Sequence, residues 1–274
     1  LYEYIFISFL MFFIGFLDDV KIKISPLKRL SIMIICLVFL IYFLPIKIFN
    51  MDIPFLIILL QNNIFSTIFV LLCFLFIVNG ANLIDGFNGM LTINLIIINI
   101  ILIYVNLNSG NNEFSVFLIS QIIILLTFLL FNFPNAKIFL GDSGAYLMGS
   151  LVALNTIITN NLNPHISSFF FCILLFYLFF EVFFSFIRKV VQKKSPVHPD
   201  SEHLHMLNFK NITPLFGANR GNYLNSLIIN FVYFILILPG LYFMKDPIFN
   251  RFWFFTLILI YLLIYFRLYR LTKN

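Results

Sequence analysis

The chain reads as long apolar runs separated by short polar ones. Nine of the runs come close to the roughly 20 residues a helix needs to cross a bilayer. They are residues 1–17, 31–49, 64–80, 90–107, 114–133, 144–161, 166–187, 223–243 and 251–267. Residues 50–63 leave room for a short interfacial segment, and 188–222 form the longest polar insert. This pattern predicts an all-α, polytopic transmembrane helical bundle of about nine spans. It also predicts one integral-membrane domain over 1–274, with no soluble domain and no repeat.

Composition strengthens the membrane reading. Hydrophobic residues make up 62% of the chain and charged ones 10%, where a soluble domain carries about 25% charged residues. Cys36, Cys73 and Cys172 fall inside apolar runs and read as core or lipid-facing residues. The first run has no basic n-region and no small-residue cleavage site, so it reads as a span and not a cleaved leader. A chain opening on Leu1 reads as truncated at its N-terminus.

The net charge is 17 − 11 = +6. The basic residues lie in short loops, which points to topology and not to nucleic acid. Only Lys47, Lys245 and Arg251 fall in one set of loops, and the rest fall in the other. The positive-inside rule puts the richer set in the cytoplasm, with the N-terminus outside and the C-terminus inside. Four polar motifs share that side: "FLDDVKIKISP" (16–26), "NGANLIDGFNGM" (79–90), "NFPNAKIFLGDSG" (132–144) and "SPVHPDSEHLHM" (195–206).

Each motif has a bland and a chemical reading. Asp18 and Asp19 form either a solvated helix end beside Lys21 and Lys23, or a general base or divalent-cation site. Asn79, Asn82, Asp85 and Asn88 recur every three residues, with Gly80, Gly86 and Gly89 interspersed and following. A helix end needs fewer polar groups than that, and glycines let a backbone approach a ligand closely. Asp142 could cap the apolar helix that follows it, or could be a metal ligand. Mg²⁺ commonly takes one or two carboxylates plus substrate phosphate and water. His198, His203 and His205 lie beside Arg188, Lys189, Lys193 and Lys194. No further His or Cys cluster completes a zinc site, so the group suits anionic phosphate better. Glu181 lies in the cytoplasmic half of a span, and its role is open.

With the four motifs in order, the chain resembles the polyprenyl-phosphate N-acetylhexosamine-1-phosphate transferases, over its whole length. That family includes phospho-MurNAc-pentapeptide translocase and the GlcNAc-1-phosphate transferases. The resemblance implies a reaction at the cytoplasmic face of the bacterial inner membrane. A UDP-N-acetylhexosamine gives its sugar phosphate to undecaprenyl phosphate, releases UMP and starts cell-envelope polysaccharide synthesis. It implies Mg²⁺, or Mn²⁺ in its place, with Asp142 as metal ligand and Asp18 and Asp19 as catalytic acids. Asn82, Asp85, Asn88, Asn132 and Phe139 would bind the nucleotide sugar, with Phe139 stacking on uracil. His198, His203 and His205 would contact phosphate or sugar. Its partners would be the UDP-sugar, the carrier lipid and membrane lipids, with no nucleic acid, and a homodimer would be compatible.

The chain departs from the family in three places. Met206 stands where GlcNAc-type relatives have a second adjacent His, and Asn88 where many have Asp. About two further N-terminal spans are expected, for eleven in all. The spaced "P-D-x-x-H-L-H" loop favours the GlcNAc-1-phosphate type. Two other readings are an Mg-dependent intramembrane prenyltransferase and a cation-coupled transporter. The first needs more Asp-rich motifs, and the second needs ionisable residues near the midplane in paired halves.

Overall fold

The computed structural model describes residues 2–20, 22, 24–44, 46–196 and 200–273. Among these there are eleven α-helices and no strand. They run α1 (Tyr2–Asp19), α2 (Pro26–Phe43), α3 (Pro54–Leu60), α4 (Asn63–Ile84), α5 (Met90–Asn108) and α6 (Asn112–Asn132). Then follow α7 (Gly141–Leu162), α8 (Ser168–Leu174), α9 (Phe176–Val191), α10 (Leu204–Tyr242) and α11 (Pro247–Leu271).

Local sequence sets several of these boundaries. Ser25 accepts the Lys28 N–H and Pro26 opens the first turn, so α2 begins earlier than the apolar run at 31 suggests. Lys28 and Arg29 therefore lie inside the helix and not in the preceding loop. Asn62 caps α4 and Asp246 caps α11 in the same way. α10 is broken at Gly217, whose φ of 75° is left-handed. α8 and α9 meet at 75°.

The helices occupy all nine predicted runs, but they differ in how well lipid would accept them. Among the described residues, α2, α4, α5, α6, α10 and α11 are long and apolar enough to cross a membrane. That makes six, or seven if the bent α8–α9 pair is one span. α1 carries Glu3, Asp18 and Asp19, and α7 buries Asn155, Thr156, Thr159 and Asn160. The outer faces are strongly apolar: Phe9, Ile64, Leu130 and Leu263 are at least 70% exposed. Such a belt suits lipid contact, and the chain is a multi-pass membrane bundle.

Inside the bundle, amides hold the helices together. Asn155 donates to Gln121 at 2.8 Å and to Asn99 at 3.3 Å, and accepts from the Tyr4 hydroxyl at 2.7 Å. One turn on, Asn106 donates to Thr159 at 2.9 Å and accepts from Asn163 at 3.1 Å. Bilayer hydrocarbon offers no water, so buried amides must satisfy one another. Close backbone approach does the rest. A Cβ on Gly15 of α1 would lie 2.4 Å from the Asp142 carbonyl carbon and the Ser143 Cα of α7.

Candidate active site

One end of the bundle collects the end of α1, the start of α2, the end of α4, the start of α5, the end of α6 and the starts of α7 and α10. The centre of the cluster is Arg29. Its Nη1 touches Asp18 Oδ2 and lies 2.6 Å from Asp142 Oδ2, so one nitrogen bridges two carboxylates. Its guanidinium also lies over the Tyr146 ring, 5.6 Å from the centroid. Asn82, on the last turn of α4, donates to the other Asp142 oxygen at 2.7 Å. Four helices thus position a single carboxylate pair.

Asp19 points elsewhere. Successive helical residues face about 100° apart, and while Asp18 meets Arg29, Asp19 meets the start of α7. Its two oxygens accept the backbone N–H groups of Asp142 and Ser143, each at 3.0 Å. A carboxylate at a helix N-terminus satisfies orphan donors and complements the dipole. Gly141 makes room for it. Its φ is +68°, and a Cβ there would lie 2.8 Å from an Asp19 oxygen. The cap of α7 is therefore Asp19, and the Asp142 side chain is left to Asn82 and Arg29.

The loop between α4 and α5 is pinned from three sides. The Gly89 N–H donates to Asn132 Oδ1 at 2.6 Å, and the Asn132 amide donates to the Ile138 carbonyl at 2.8 Å. The Asn88 side chain donates to the Pro134 carbonyl at 2.7 Å, and its N–H to Asn222 at 2.8 Å. Asn132 and Asn88 thus clamp two loops together. Asn79 turns back onto its own helix at the Leu75 carbonyl. Burial, and then the nearby Asp142 charge, push the Asp85 carboxyl up to about 7. Phe139, three residues before Asp142, is 76% exposed, an open aromatic face beside the carboxylates.

The histidine segment reaches the same end through Phe87, whose ring lies 5.8 Å from that of His205. His203 Nδ1 donates to Glu181 Oε1 at 3.1 Å, and the same oxygen accepts the Leu204 N–H at 3.0 Å. Tyr261 donates to the second Glu181 oxygen at 2.7 Å. Glu181 thereby caps α10 and orients His203. His205 is fully buried, 3.1 Å from the Tyr177 hydroxyl. Arg188 leaves Glu181 alone and latches the loop instead, to Glu202 at 2.6 Å and to both Asp200 oxygens at 2.9 and 3.1 Å. Burial opposes ionisation of Asp200, but the Glu202 N–H, His203 and Arg188 hold its carboxyl below the usual range. His198 lies outside the described residues.

Among the described residues, no group of three or more His, Cys, Asp or Glu is arranged to hold a metal ion alone. The Asp18–Asp142 pair nevertheless fits a hard divalent cation. Its donors are all oxygen, and a positive group already bridges them. Mg²⁺ needs only one or two carboxylates when phosphate and water complete its shell.

The sequence profile of glycosyl transferase family 4 matches residues 1–160. The chain belongs to glycosyl transferase family 4. The match takes in the carboxylate cluster, the α4–α5 loop, Asn132 and Phe139, while the histidines lie beyond it. This family-4 chain is 30% identical over 141 residues to the undecaprenyl-phosphate alpha-N-acetylglucosaminyl 1-phosphate transferase of Thermotoga maritima, over 50% of this chain and 41% of the relative. It is 29% identical over 199 residues to the phospho-N-acetylmuramoyl-pentapeptide-transferase of Clostridioides difficile, over 68% of this chain and 62% of the relative. It is 28% identical over 208 residues to a probable undecaprenyl-phosphate N-acetylglucosaminyl 1-phosphate transferase of Bacillus subtilis, over 72% and 55%. The chain thus spans between 41% and 62% of the length of these relatives.

Sequence reasoning missed Arg29, Asn222, Tyr177 and Tyr261, and gave Glu181 no role. A signal existed for Arg29: a cation in the first turn of an apolar helix opposes the dipole and needs an outside partner.

Proposed function

We propose that this chain transfers an N-acetylhexosamine 1-phosphate from a UDP-sugar to undecaprenyl phosphate at the cytoplasmic membrane face. The carrier's phosphate oxygen forms a bond to the sugar-linked phosphorus. The bond from that phosphorus to the bridging oxygen breaks, and UMP leaves with that oxygen. The sugar is of the N-acetylglucosamine type, after two of the relatives' names. The observation that carries the reading is the Asp18–Asp142 pair bridged by one cationic nitrogen at the polar end of a lipid-facing bundle.

Asp142 and Asp18 would hold Mg²⁺ or Mn²⁺. A cation bound there supplies charge to offset repulsion between two anionic phosphates and the charge growing on UMP. Asn82 fixes the rotamer of Asp142, and Asp19 fixes the backbone that carries it. The Asp18 carboxylate is also the base for a protonated carrier phosphate. Phe139 offers its exposed ring to uracil. His203, held at Nδ1 by Glu181 and with Nε2 3.4 Å from Asp200 Oδ1, would meet phosphate or sugar by exchanging the Asp200 contact.

The test is direct. The purified chain, with and without an N-terminal extension, is given undecaprenyl phosphate, Mg²⁺ and a panel of UDP-sugars. UMP release that disappears with chelator and in Asp142→Ala supports the reading. No UMP from any UDP-N-acetylhexosamine in either form sinks it.

A further inference from the structure

We propose that Arg29 is an exchangeable counter-ion: it fills the divalent-cation position in the metal-free protein and has to leave for the cation to enter. The proposal rests on the metal reading above. Two carboxylates from α1 and α7 share one guanidinium nitrogen, and both are oxygen donors a divalent cation would accept. Without a positive group between them, two like charges held this close by rigid helices would repel. Arg29 removes that repulsion when no cation is present.

The contacts of Arg29 make it suited to leaving. Nothing in α2 holds its charge, because the first turn of a helix is the positive end of the dipole. Its charge partners are Asp18 and Asp142, the residues a cation would take over. The ion pairs are also partly open to solvent, with side-chain exposures of 21% for Arg29, 35% for Asp18 and 27% for Asp142. Pairs with this much solvent access are screened more than fully buried ones. The guanidinium nitrogen holds Asp142 at 2.6 Å, whereas Mg²⁺ takes oxygen at about 2.1 Å. A bound cation would draw the carboxylate closer than the guanidinium does, a shift within the reach of side-chain rotation. The other Asp142 oxygen stays anchored by Asn82 throughout.

This arrangement sets a threshold for metal binding. The cation has to compete with a tethered positive group, so its apparent affinity is lower than the two carboxylates alone would give. The same group keeps the empty site stable.

Mn²⁺ binding to the purified full chain, followed by electron paramagnetic resonance, tests this without reference to turnover. Arg29→Gln should bind Mn²⁺ about tenfold more tightly than the wild type. Arg29→Lys, a point charge without the planar fork, should fall between them, and it serves if the Gln variant does not fold. In chelator, Arg29→Gln should melt below the wild type, and Mn²⁺ should raise its Tm by more than it raises that of the wild type. A merely structural ion pair would lower the Tm with no such metal-dependent recovery. Unchanged or weaker Mn²⁺ binding in both Arg29 variants, with binding lost in Asp142→Asn, overturns the role of Arg29 and leaves the metal site standing. No Mn²⁺ binding in any variant overturns the metal reading, and this proposal with it.

Discussion

The Asp19 carboxylate at the end of α1 accepts the backbone N–H of Asp142 at the start of α7, at 3.0 Å and across 123 positions of chain. Neighbouring acids that look equivalent in sequence therefore do different work. Asp19 holds a helix end, and Asp18 faces the charge cluster. The device recurs at α10, where Glu181 of α9 accepts the Leu204 N–H. α7, which presents Asp142, and α10, which presents His205, are each capped by an acid from another helix.

A capping role for Asp19 predicts a particular ranking of variants. Asn keeps one acceptor oxygen but sets an amide NH2 against the second N–H, whereas Ala removes both acceptors at a cost of about 1 kcal/mol or more. Asp19→Asn should melt between the wild type and Asp19→Ala, and retain more UMP release than Asp19→Ala. If Asn and Ala are equally damaging to activity while both keep the Tm, Asp19 acts on substrate and not as a cap.

Gly15 should tolerate no side chain. A methyl there would overlap the α7 backbone at 2.4 Å, beside the carbonyl of Asp142. Backbone cannot yield as a flexible side chain can, and overpacking typically costs about 1–3 kcal/mol. Gly15→Ala should lower the Tm and depress UMP release together. A Gly15→Ala protein with native Tm and activity would show that α1 and α7 lie further apart.

Asp85 predicts a pH dependence for the chelator-treated protein. Its carboxyl titrates at about 7 in the folded chain against 3.8 as the ordinary value. The folded state therefore binds more protons between those limits, and stability falls as pH rises through that window. Asp85→Asn should flatten the fall and melt higher than the wild type at pH 8. A wild-type Tm that does not decline between about pH 4 and 7 would contradict this.

Arg188 should govern access to the segment before the histidines. It ties α9 to Asp200 and Glu202, with side-chain exposures of 8%, 18% and 25%. Arg188→Ala leaves both acids without that partner, so limited proteolysis should cut between 192 and 202 faster than in the wild type. Unchanged cleavage would mean that the remaining contacts, such as Lys210 to the Ser201 carbonyl at 3.0 Å, suffice to hold the loop.

Much of the fold was legible because apolar run length is a one-dimensional signal. Runs such as 90–107 and 251–267 became α5 and α11 with small shifts at the ends. The four motifs also carried their own meeting point, since topology put them at one end. The partners were not legible. Asn132 has the same composition whether its amide faces a ligand or, as here, the Gly89 N–H and the Ile138 carbonyl. The cap of Asp142 comes from a distant helix, so no local window around "GDSG" contains it. Arg29 was counted only as one more inside positive charge, because its two carboxylates lie 11 and 113 positions away. Pairings of that range are properties of the packed bundle.

The polarity of α7 has a consequence for how the protein is made. The helix that carries Asp142 is not among the six that lipid would accept on length and composition, and its amides find partners on α1, α5, α6 and the segment between α2 and α3. Newly inserted, it is a poor tenant of the bilayer until those neighbours surround it. Assembly of the bundle and completion of the site are therefore one event, and a membrane that holds α7 stably already holds a formed carboxylate pair.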